Sequence, residues 1–384
     1  MSGPHDVTAK VLIREKALEL GIDGVGFTDS EPLEGARAGL ETAIRAGYIP
    51  GDLAPSPASL ARFTTPKRHL KSARSIISAY ECYYRGGPEE EPPDDPLVGT
   101  IARYTRSNFY KDLQGRLRRL ASFMAKEFGC RAKVFCCYVS LAEKPIARKA
   151  GLGFYGKHGV IVTPEHGSFV VLGEILTDLA VEPDSPLATD CGECRLCIEA
   201  CPTGAIRQPY FVDRNLCIQA HCGRRTIVPV DVRSAWGNRF YGCMACQEAC
   251  PRNRRAHPVE RNVEVGRVGA SVRLPEVLLM REQEFARRFG DNQIGLRELA
   301  VIRRDAIIAA GCSGSRALEG PLAECALDDD PLVRRHALWA LCRIKGGEAR
   351  DDLLRASENE ARRESPDPGV ALEIKTLLDG FRTF

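Results

Sequence analysis

The sequence predicts a chain of three parts: an α/β domain over 1–182, a cysteine-rich module over 183–260 and an α-helical repeat domain over 261–384. Three observations support this prediction. Strand and helix patterns alternate through the first 180 residues, which favours an α/β fold. Two runs of cysteines lie between residues 191 and 250, and a helical motif repeats after residue 300.

The first part alternates amphipathic helical patterns with short apolar runs. Helices are expected over 8–20, 109–128 and 142–150. The first of them is expected to begin with Thr8 as its cap and to end at Gly21. Strands are expected over 24–27, 73–80, 133–139, 160–162 and 169–172.

The cysteine runs have the spacing C-x2-C-x2-C-x3-C-P and C-x2-C-x3-C-P. This pattern is typical of bacterial ferredoxins with two 4Fe–4S clusters, in which the last cysteine of each run binds the other cluster. That rule assigns one cluster to Cys191, Cys194, Cys197 and Cys250, and the other to Cys243, Cys246, Cys201 and Cys217. Structural zinc also favours four cysteines. It explains neither the three close cysteines of the first run nor the proline after each run.

The composition is that of a globular protein, with 384 residues, 44% hydrophobic and 27% charged. A net charge of +3 does not by itself indicate nucleic-acid binding, so any basic surface must come from local clustering. Eight of the 16 cysteines remain after the clusters and show no disulfide spacing. Thiolate ligands require a reducing compartment, which predicts a cytoplasmic protein. No stretch approaches the ~18 apolar residues of a membrane span, so no span is expected. Cys222, five residues after Cys217, is expected not to bind a cluster.

The third part contains an internal repeat. Residues 301–310 match 332–341 at an offset of 31 residues, and the motif at 330–333 recurs loosely at 367–370. This repeat predicts a short HEAT-like array of stacked helices, with an ordinary helical bundle as the alternative. Trp339 is expected to pack in the core of the array.

Two arginine pairs recur at the same offset, Arg303–Arg304 and Arg334–Arg335. On stacked helices they would share one face, which would suit a phosphate backbone such as that of tRNA. Two other basic groups, at 224–225 and 252–255, are alternatives. The competing interpretation of the repeated arginines is a solvated helix face that pairs with Asp305, Asp328, Asp329 and Asp330.

Several motifs carry a family resemblance: Ala102–Tyr104, Ala150–Lys157, Gly173–Leu179, the cysteine runs, Trp236–Cys243 and the arginine-containing repeat. With them, the chain resembles the epoxyqueuosine reductase family from about residue 101 to its end, and more weakly before that. The resemblance implies a cobalamin-binding α/β domain of the reductive-dehalogenase type, a two-cluster domain and a helical tail that helps bind tRNA. Family enzymes remove the epoxide oxygen of epoxyqueuosine in the tRNA anticodon loop.

The resemblance also implies site residues. Cofactor binding falls on Gly151, Gly153, Tyr155, Gly156 and Lys157, although Gly151 also suits a helix end and Lys157 a surface charge. The family's acidic residue, thirteen positions before Ala150, is Cys137 here, and of its Asp-Tyr-His triplet only Tyr110 remains. The candidate catalytic residues are therefore Cys137, Tyr110 and Tyr104. Glu143 is a further candidate acid, and Cys136 is expected to be a small buried strand residue.

The preferred interpretation is a cobalamin- and iron–sulfur-dependent reductase that resembles epoxyqueuosine reductase. It is expected to be a monomer that receives electrons from a flavodoxin or ferredoxin. One alternative is a reductive-dehalogenase-like enzyme that acts on a small molecule. The other is a non-catalytic electron-transfer or docking protein, favoured by the loss of the acid at position 137.

Overall fold

The computed structural model describes residues 4–86, 91–136 and 140–380. They form two compact units, each built from three segments. The first unit comprises 4–86, 108–136, 140–215 and 245–265, with its second segment interrupted at 137–139. The second comprises 91–107, 216–244 and 266–380. The predicted division into three consecutive domains remains a prediction.

Strands and helices alternate along the chain as expected. The strands are β1 (Gly24–Asp29), β2 (Ser75–Cys82), β3 (Val98–Ile101), β4 (Ala132–Cys136), β5 (Phe154–Tyr155), β6 (Ile161–Val162), β7 (Val170–Thr177), β8 (Ile206–Gln208), β9 (Phe211–Val212), β10 (Arg239–Tyr241) and β11 (Ser271–Arg273). The helices are α1 (Pro4–Glu19), α2 (Glu34–Arg45), α3 (Pro57–Thr64), α4 (Phe109–Phe128), α5 (Glu143–Lys149), α6 (Leu196–Glu199), α7 (Ile218–His221), α8 (Val230–Ser234), α9 (Ala245–Glu248), α10 (Leu274–Leu278), α11 (Glu282–Phe289), α12 (Leu299–Ser313), α13 (Glu319–Cys325), α14 (Pro331–Lys345), α15 (Arg350–Ala361) and α16 (Pro368–Gly380).

The first unit is built on a four-stranded sheet in the order β1-β2-β7-β4, and every neighbouring pair is antiparallel. All residues of β2 and β7 are buried, because helices cover both faces of these central strands. On one face, Leu117 of α4 packs so closely that a Cβ on Gly173 would lie 2.6 Å from its Cδ1 atom. On the other face, the carbonyl group of Ala150, just after α5, touches Gly26.

Local sequence signals account for the ends of α4. The Asn108 side chain accepts a hydrogen bond from the Lys111 N–H at 3.1 Å, and Gly129 ends the helix with φ of 64°. The prediction for α1 was wrong at its start. The helix begins at Pro4 rather than after Thr8, because proline is accommodated in the first turn of a helix.

The second unit combines the sheet β10-β3-β11 with helices that follow the predicted repeat. Helix α14 packs against both α12 and α16. The Asp330 carboxylate accepts from the Leu332 N–H at 2.9 Å, and the Asp367 carboxylate accepts from the Val370 N–H at 2.9 Å. Trp339 is 3% exposed and packs in the core. The expected array of stacked helices and the role of Trp339 are confirmed. Among the helices of the described residues, none combines the length and the apolar character that a membrane span needs.

Candidate functional site

The four cysteines assigned to the first cluster lie together in the first unit. Cys197 and Cys250 are buried, and Cys191 and Cys194 are half-buried. Burial raises the pKa of the Cys197 thiol to about 11, with further contributions from the charges of Cys191, Cys250 and Cys194. The four sulfur atoms are therefore close enough to interact. Iron would take the place of their protons, so this donor set fits a cluster held by four thiolates.

Within 4–86, 91–136 and 140–380, no three Cys, His, Asp or Glu side chains converge as the ligands of a single metal ion do. A 4Fe–4S cube has a different requirement, because each of its four thiolates binds a different iron atom. The proximity of Cys191, Cys194 and Cys250 to Cys197 is the relevant observation for a cube.

The four cysteines assigned to the second cluster are all half-buried. In the first unit, the sulfur of Cys201 accepts the Ala205 N–H at 3.2 Å. In the second unit, the Cys243 N–H donates to the Gln219 side chain at 3.0 Å. Cys222 lies in the hydrophobic core of the second unit, a position that suits the expectation that it binds no cluster. The assignment of Cys201, Cys217, Cys243 and Cys246 remains a prediction.

Lys157 contacts the first cysteine run. Its Nζ donates to the Gly192 carbonyl at 2.5 Å, and its main-chain N–H donates to the Cys191 sulfur. The Lys157 carbonyl accepts the Tyr210 N–H at 2.9 Å. Tyr210 is the single non-glycine residue of the described chain with positive φ, 73°, and nothing in the sequence signalled it. Sequence reasoning thus missed the contact of this loop with the cluster segment.

The glycines predicted to approach the cofactor are packed against the chain itself. A Cβ on Gly151, whose φ is +72°, would lie 2.6 Å from the Ser185 carbonyl oxygen. A Cβ on Gly153 would lie 2.6 Å from the Val162 carbonyl oxygen. These two glycines are explained by internal packing, and Gly151 also ends α5 as the alternative interpretation expected. A role of either residue in cofactor binding remains a prediction.

His158, next to Lys157, carries a buried polar atom that sequence reasoning overlooked. The residue is 5% exposed and lies against Gly156. Its Nδ1 accepts the Val160 N–H at 3.2 Å, which leaves the proton on Nε2. Among the described residues, Nε2 has no hydrogen-bond partner. Burial and then Lys144 lower the pKa of His158 to about 4, so the ring is neutral. A bound group with an oxygen acceptor would satisfy this donor.

Tyr155 lies just before Gly156 and packs against an apolar cluster that includes Leu152 and Ile161. Burial raises the pKa of its hydroxyl group, so Tyr155 is a neutral phenol at physiological pH. Its predicted contact with cofactor is untested.

The three catalytic candidates have different surroundings. Tyr110 lies in the first turn of α4, and its carbonyl accepts the Cys136 thiol at 3.4 Å. Tyr104 belongs to the second unit, where its hydroxyl would be 2.9 Å from a Cβ on Gly242. Cys137 lies outside the described residues. Cys136 is 2% exposed at the end of β4, as expected for a small buried strand residue.

The repeated arginines do not form a free basic face. Arg304 is fully buried, pairs with Asp305 and donates to the carbonyl groups of His221, Arg224 and Thr226. Arg334 is 3% exposed and pairs with Glu360.

The other arginine of each pair also forms an ion pair: Arg303 with Asp328, and Arg335 with Glu373. The prediction of a phosphate-binding ridge on these four residues was wrong. The competing interpretation of a solvated face is correct in the pairing with Asp305 and Asp328, but wrong for Arg304 and Asp305 in its solvation, because both of these side chains are fully buried.

Comparison with known proteins identifies the family. Residues 190–253 match a family model described as a 4Fe-4S double cluster binding domain. Epoxyqueuosine reductase of Staphylococcus aureus is 32% identical over 345 residues, which cover 88% of this chain and 90% of that protein. The chain belongs to the epoxyqueuosine reductase family. Epoxyqueuosine reductase of Bacillus subtilis is 31% identical over 362 residues, 91% of this chain and 92% of that protein.

A solved structure agrees with this family assignment. The crystal structure of epoxyqueuosine reductase with a tRNA-Tyr epoxyqueuosine-modified tRNA stem loop matches with a TM-score of 0.89 and 28% identity. The match covers 98% of this chain and 99% of that one. The predictions of an oxidoreductase, of a double-cluster domain and of the family are confirmed.

A buried polar network, also missed from the sequence, holds the part of the second cysteine run that lies in the first unit, from Cys246 to Cys250. The Gln247 side chain, in α9 beside Cys246, donates to the Tyr83 hydroxyl at 3.0 Å and to the Ser168 carbonyl at 2.7 Å. Asn253 donates to the Ser168 hydroxyl at 2.8 Å and to the Gln247 carbonyl at 2.7 Å. These residues are far apart in sequence and follow no motif.

Proposed function

We propose that this protein reduces epoxyqueuosine in a tRNA anticodon loop to queuosine. The observation that carries the proposal is the similarity to epoxyqueuosine reductases over about nine-tenths of the chain. In the reaction, the epoxide oxygen leaves as water and a carbon–carbon double bond forms, which consumes two electrons and two protons. The chain must therefore deliver electrons, bind a cofactor, donate protons and bind RNA.

Electrons enter through the two predicted clusters, with a flavodoxin or ferredoxin as donor to a monomeric enzyme. Hydrogen bonds to cluster sulfurs adjust the reduction potential. The Lys157 N–H that donates to the Cys191 sulfur is such a bond, and the Lys157 side chain holds the adjacent Gly192 carbonyl. Lys157 therefore has a role at the first cluster that does not depend on a second cofactor.

Cobalamin, when bound, supplies a strongly reducing cobalt centre for opening the epoxide. The predicted binding segment is 151–157, with His158 immediately after it. The rim of a corrin carries carboxamide oxygens, which are hydrogen-bond acceptors. The buried Nε2–H of His158 is a donor that could bind such an oxygen, and because the ring is neutral, no buried charge needs to be compensated.

The leaving oxygen needs a proton from a nearby group. The candidates are Cys137, Tyr110 and Tyr104. The ordinary pKa of a thiol such as Cys137 is about 8.5, which is closer to neutrality than the pKa of the two phenols. This favours Cys137 on chemistry, at the position where the family carries its acid.

Binding of tRNA requires exposed cations, and the repeated arginines are engaged elsewhere. Arg252, Arg254 and Arg255, just after Cys250, are all exposed. None of the three forms an ion pair within the part of the chain that the structure describes. Three guanidinium groups within four residues suit a phosphate backbone, so we assign phosphate contacts to this group.

The test uses anaerobically reconstituted protein with cobalamin, a chemical reductant and a tRNA-Tyr stem-loop that carries epoxyqueuosine. Mass spectrometry of the digested RNA is expected to show queuosine. A Cys194→Ser variant, which removes one ligand of the first cluster, should lose conversion. The proposal fails if protein with full iron content and bound cobalamin leaves epoxyqueuosine unchanged.

A further inference from the structure

The first run of cysteines lies at the surface of the first unit. Between Cys191 and Cys197, the residues that are not assigned as cluster ligands are all exposed: Gly192, Glu193, Arg195 and Leu196. The second cluster is more enclosed. Three of its four assigned ligands are each followed by a buried residue: Ile218, Met244 and Gln247. An electron from outside the protein therefore crosses less polypeptide to reach the first cluster than to reach the second.

Two large apolar side chains are exposed beside this first run. Leu196, which directly precedes Cys197, is 42% exposed, and Tyr210 is 46% exposed. Helix α6, which begins at Leu196, packs against β8, and Tyr210 lies in the turn between β8 and β9. In the described part of the first unit, two further large apolar side chains are exposed, Val11 and Leu18. Half of these exposed apolar groups thus lie at the first cluster.

Tyr210 is fixed against the cluster segment. Its main-chain N–H donates to the Lys157 carbonyl at 2.9 Å, and the N–H of Lys157 donates to the Cys191 sulfur. Burial, and then the charges of Cys191 and Asp190, raise the pKa of the Tyr210 hydroxyl, so its ring is neutral and close to the run.

The backbone of Tyr210 also indicates a use for its side chain. Its φ of 73° is a conformation that glycine adopts freely and that a residue with a Cβ adopts at an energetic cost. Glycine would therefore suit this turn better than tyrosine. A strained residue with an exposed aromatic ring at a predicted redox site points to a function of the ring.

The charges near Leu196 and Tyr210 almost balance. Residues 190–212 carry five exposed charged side chains, three negative and two positive: Asp190, Glu193, Glu199, Arg195 and Arg207. A phosphate backbone binds to a surplus of positive charge, so this surface does not suit RNA. A partner that docks here gains apolar contact with Leu196 and Tyr210 instead.

We propose that Leu196 and Tyr210 form the docking surface for a flavodoxin that delivers electrons to the first cluster. The ring system of a flavin is flat and largely apolar, so its exposed edge can pack against a leucine and a phenol ring. A ferredoxin encloses its cluster in polypeptide and presents no such ring. Electron-transfer complexes are weak and bury little surface, and aromatic side chains are enriched at the centre of interfaces.

The proposal rests on the proposed function, which consumes two external electrons per epoxide. Each encounter moves one electron from the reduced flavin to the oxidised first cluster, and no bond forms or breaks. The flavin is oxidised by one electron and the cluster is reduced by one. Two encounters therefore supply one turnover.

The test measures cluster reduction by stopped-flow absorbance, with iron-loaded protein and chemically reduced flavodoxin at a concentration below saturation. Leu196→Glu should slow reduction by at least about tenfold, because a charge replaces an apolar anchor of the interface. Leu18→Glu makes the same change at an exposed leucine of the same unit and should not slow it. Reduction by dithionite, a small reductant that needs no docking surface, should be equally fast in both variants and the unmodified protein.

Two substitutions of Tyr210 test the second anchor. Tyr210→Gly removes the ring and relieves the backbone, because glycine adopts positive φ freely. It should also slow reduction by flavodoxin by at least about tenfold. Tyr210→Phe keeps the ring and should retain most of the rate. Iron content and affinity for the tRNA-Tyr stem-loop should be the same in every variant.

Several results would overturn the proposal. Equal rates of Leu196→Glu and Leu18→Glu with flavodoxin would place the docking surface elsewhere, and so would a dependence on Leu196 and Tyr210 with a ferredoxin as donor alone. A flavodoxin that reduces no cluster would exclude this partner. An equal loss of rate with dithionite would assign the two residues to cluster stability.

These measurements need no RNA, so they are independent of the proposed function. Conversion of epoxyqueuosine is measured separately with the chemical reductant. If loaded enzyme converts nothing under those conditions, the proposed function fails, while the rates of cluster reduction still decide whether flavodoxin docks at Leu196 and Tyr210.

Discussion

Ser168 and Asn253 bind each other through two hydrogen bonds. The main-chain N–H of Ser168 donates to Oδ1 of Asn253 at 2.7 Å, and the side-chain amide of Asn253 donates to the Ser168 hydroxyl at 2.8 Å. Both residues are buried. The pair ties the segment before β7 to the turn after Cys250, so the sheet of the first unit directly supports a predicted cluster ligand.

Asn253→Asp should destabilise this connection. The aspartate keeps the acceptor but loses both donated bonds and adds a buried charge, at a cost of about 3 kcal/mol. The temperature of thermal unfolding and the iron content after reconstitution should both decrease. Gln208→Glu makes the same amide-to-acid change at an exposed site and is the control. Equal stability of Asn253→Asp and the unmodified protein would show that the network contributes little.

Arg304 should matter for folding rather than for RNA. Arg304→Met leaves Asp305 as an unpaired buried carboxylate and removes the donor to three carbonyl groups, with an expected loss of about 3–5 kcal/mol. Arg355→Met removes an exposed arginine from its pair with Asp352 and should cost less than about 1 kcal/mol. Chemical denaturation compares the two. Similar losses would contradict the assignment of Arg304 to the core.

The sequence predicted features that depend on neighbouring residues. The limits of α4 follow from Asn108 and Gly129, and the caps at Asp330 and Asp367 mark equivalent helices of the repeat. The burial of Arg304 could not be predicted in this way. Its partners include carbonyl groups at 221–226, about eighty residues away, and a repeat offset does not reveal whether a helix face is covered.

The same distinction between local and long-range features applies to the candidate site. Spacing alone identified the cysteines, since cluster ligands lie at short fixed intervals. The contacts that hold them, such as Lys157 with Gly192, join segments distant in sequence. The unpaired donor of His158 becomes visible only when its surroundings are known.

The exposed arginines after Cys250 should contact tRNA. Arg254→Glu/Arg255→Glu should weaken binding of the tRNA-Tyr stem-loop and reduce the slope of log affinity against log salt by about one for each lost phosphate contact. Arg281→Glu/Arg287→Glu makes the same charge change at two exposed positions of the second unit. Fluorescence titration over a range of salt concentrations distinguishes them. An unchanged slope for the first variant, or an equal decrease for both, would refute the assignment.

Glu81 should make the stability of the first unit depend on pH. It is fully buried in β2, with the Arg261 guanidinium 3.2 Å away. Burial, and then the charge of Asp112, raise its pKa from 4.5 to about 7, although Arg261 and Arg116 act in the opposite direction. The native state therefore holds a proton that the unfolded chain has released between these two pH values.

Stability from Glu81 should be fully present below about pH 4.5 and should fall as pH rises to about 7, by at most about 1.4 kcal/mol per pH unit. Glu81→Gln carries the neutral shape at every pH, so its unfolding midpoint relative to the unmodified protein should rise across this window. The comparison at each pH cancels the acid sensitivity of the rest of the chain. Glu182→Gln, an exposed control, should track the unmodified protein throughout. A Glu81→Gln midpoint that runs parallel to the unmodified protein would mean that Glu81 is ionised in the fold, stabilised by Arg261 and Arg116.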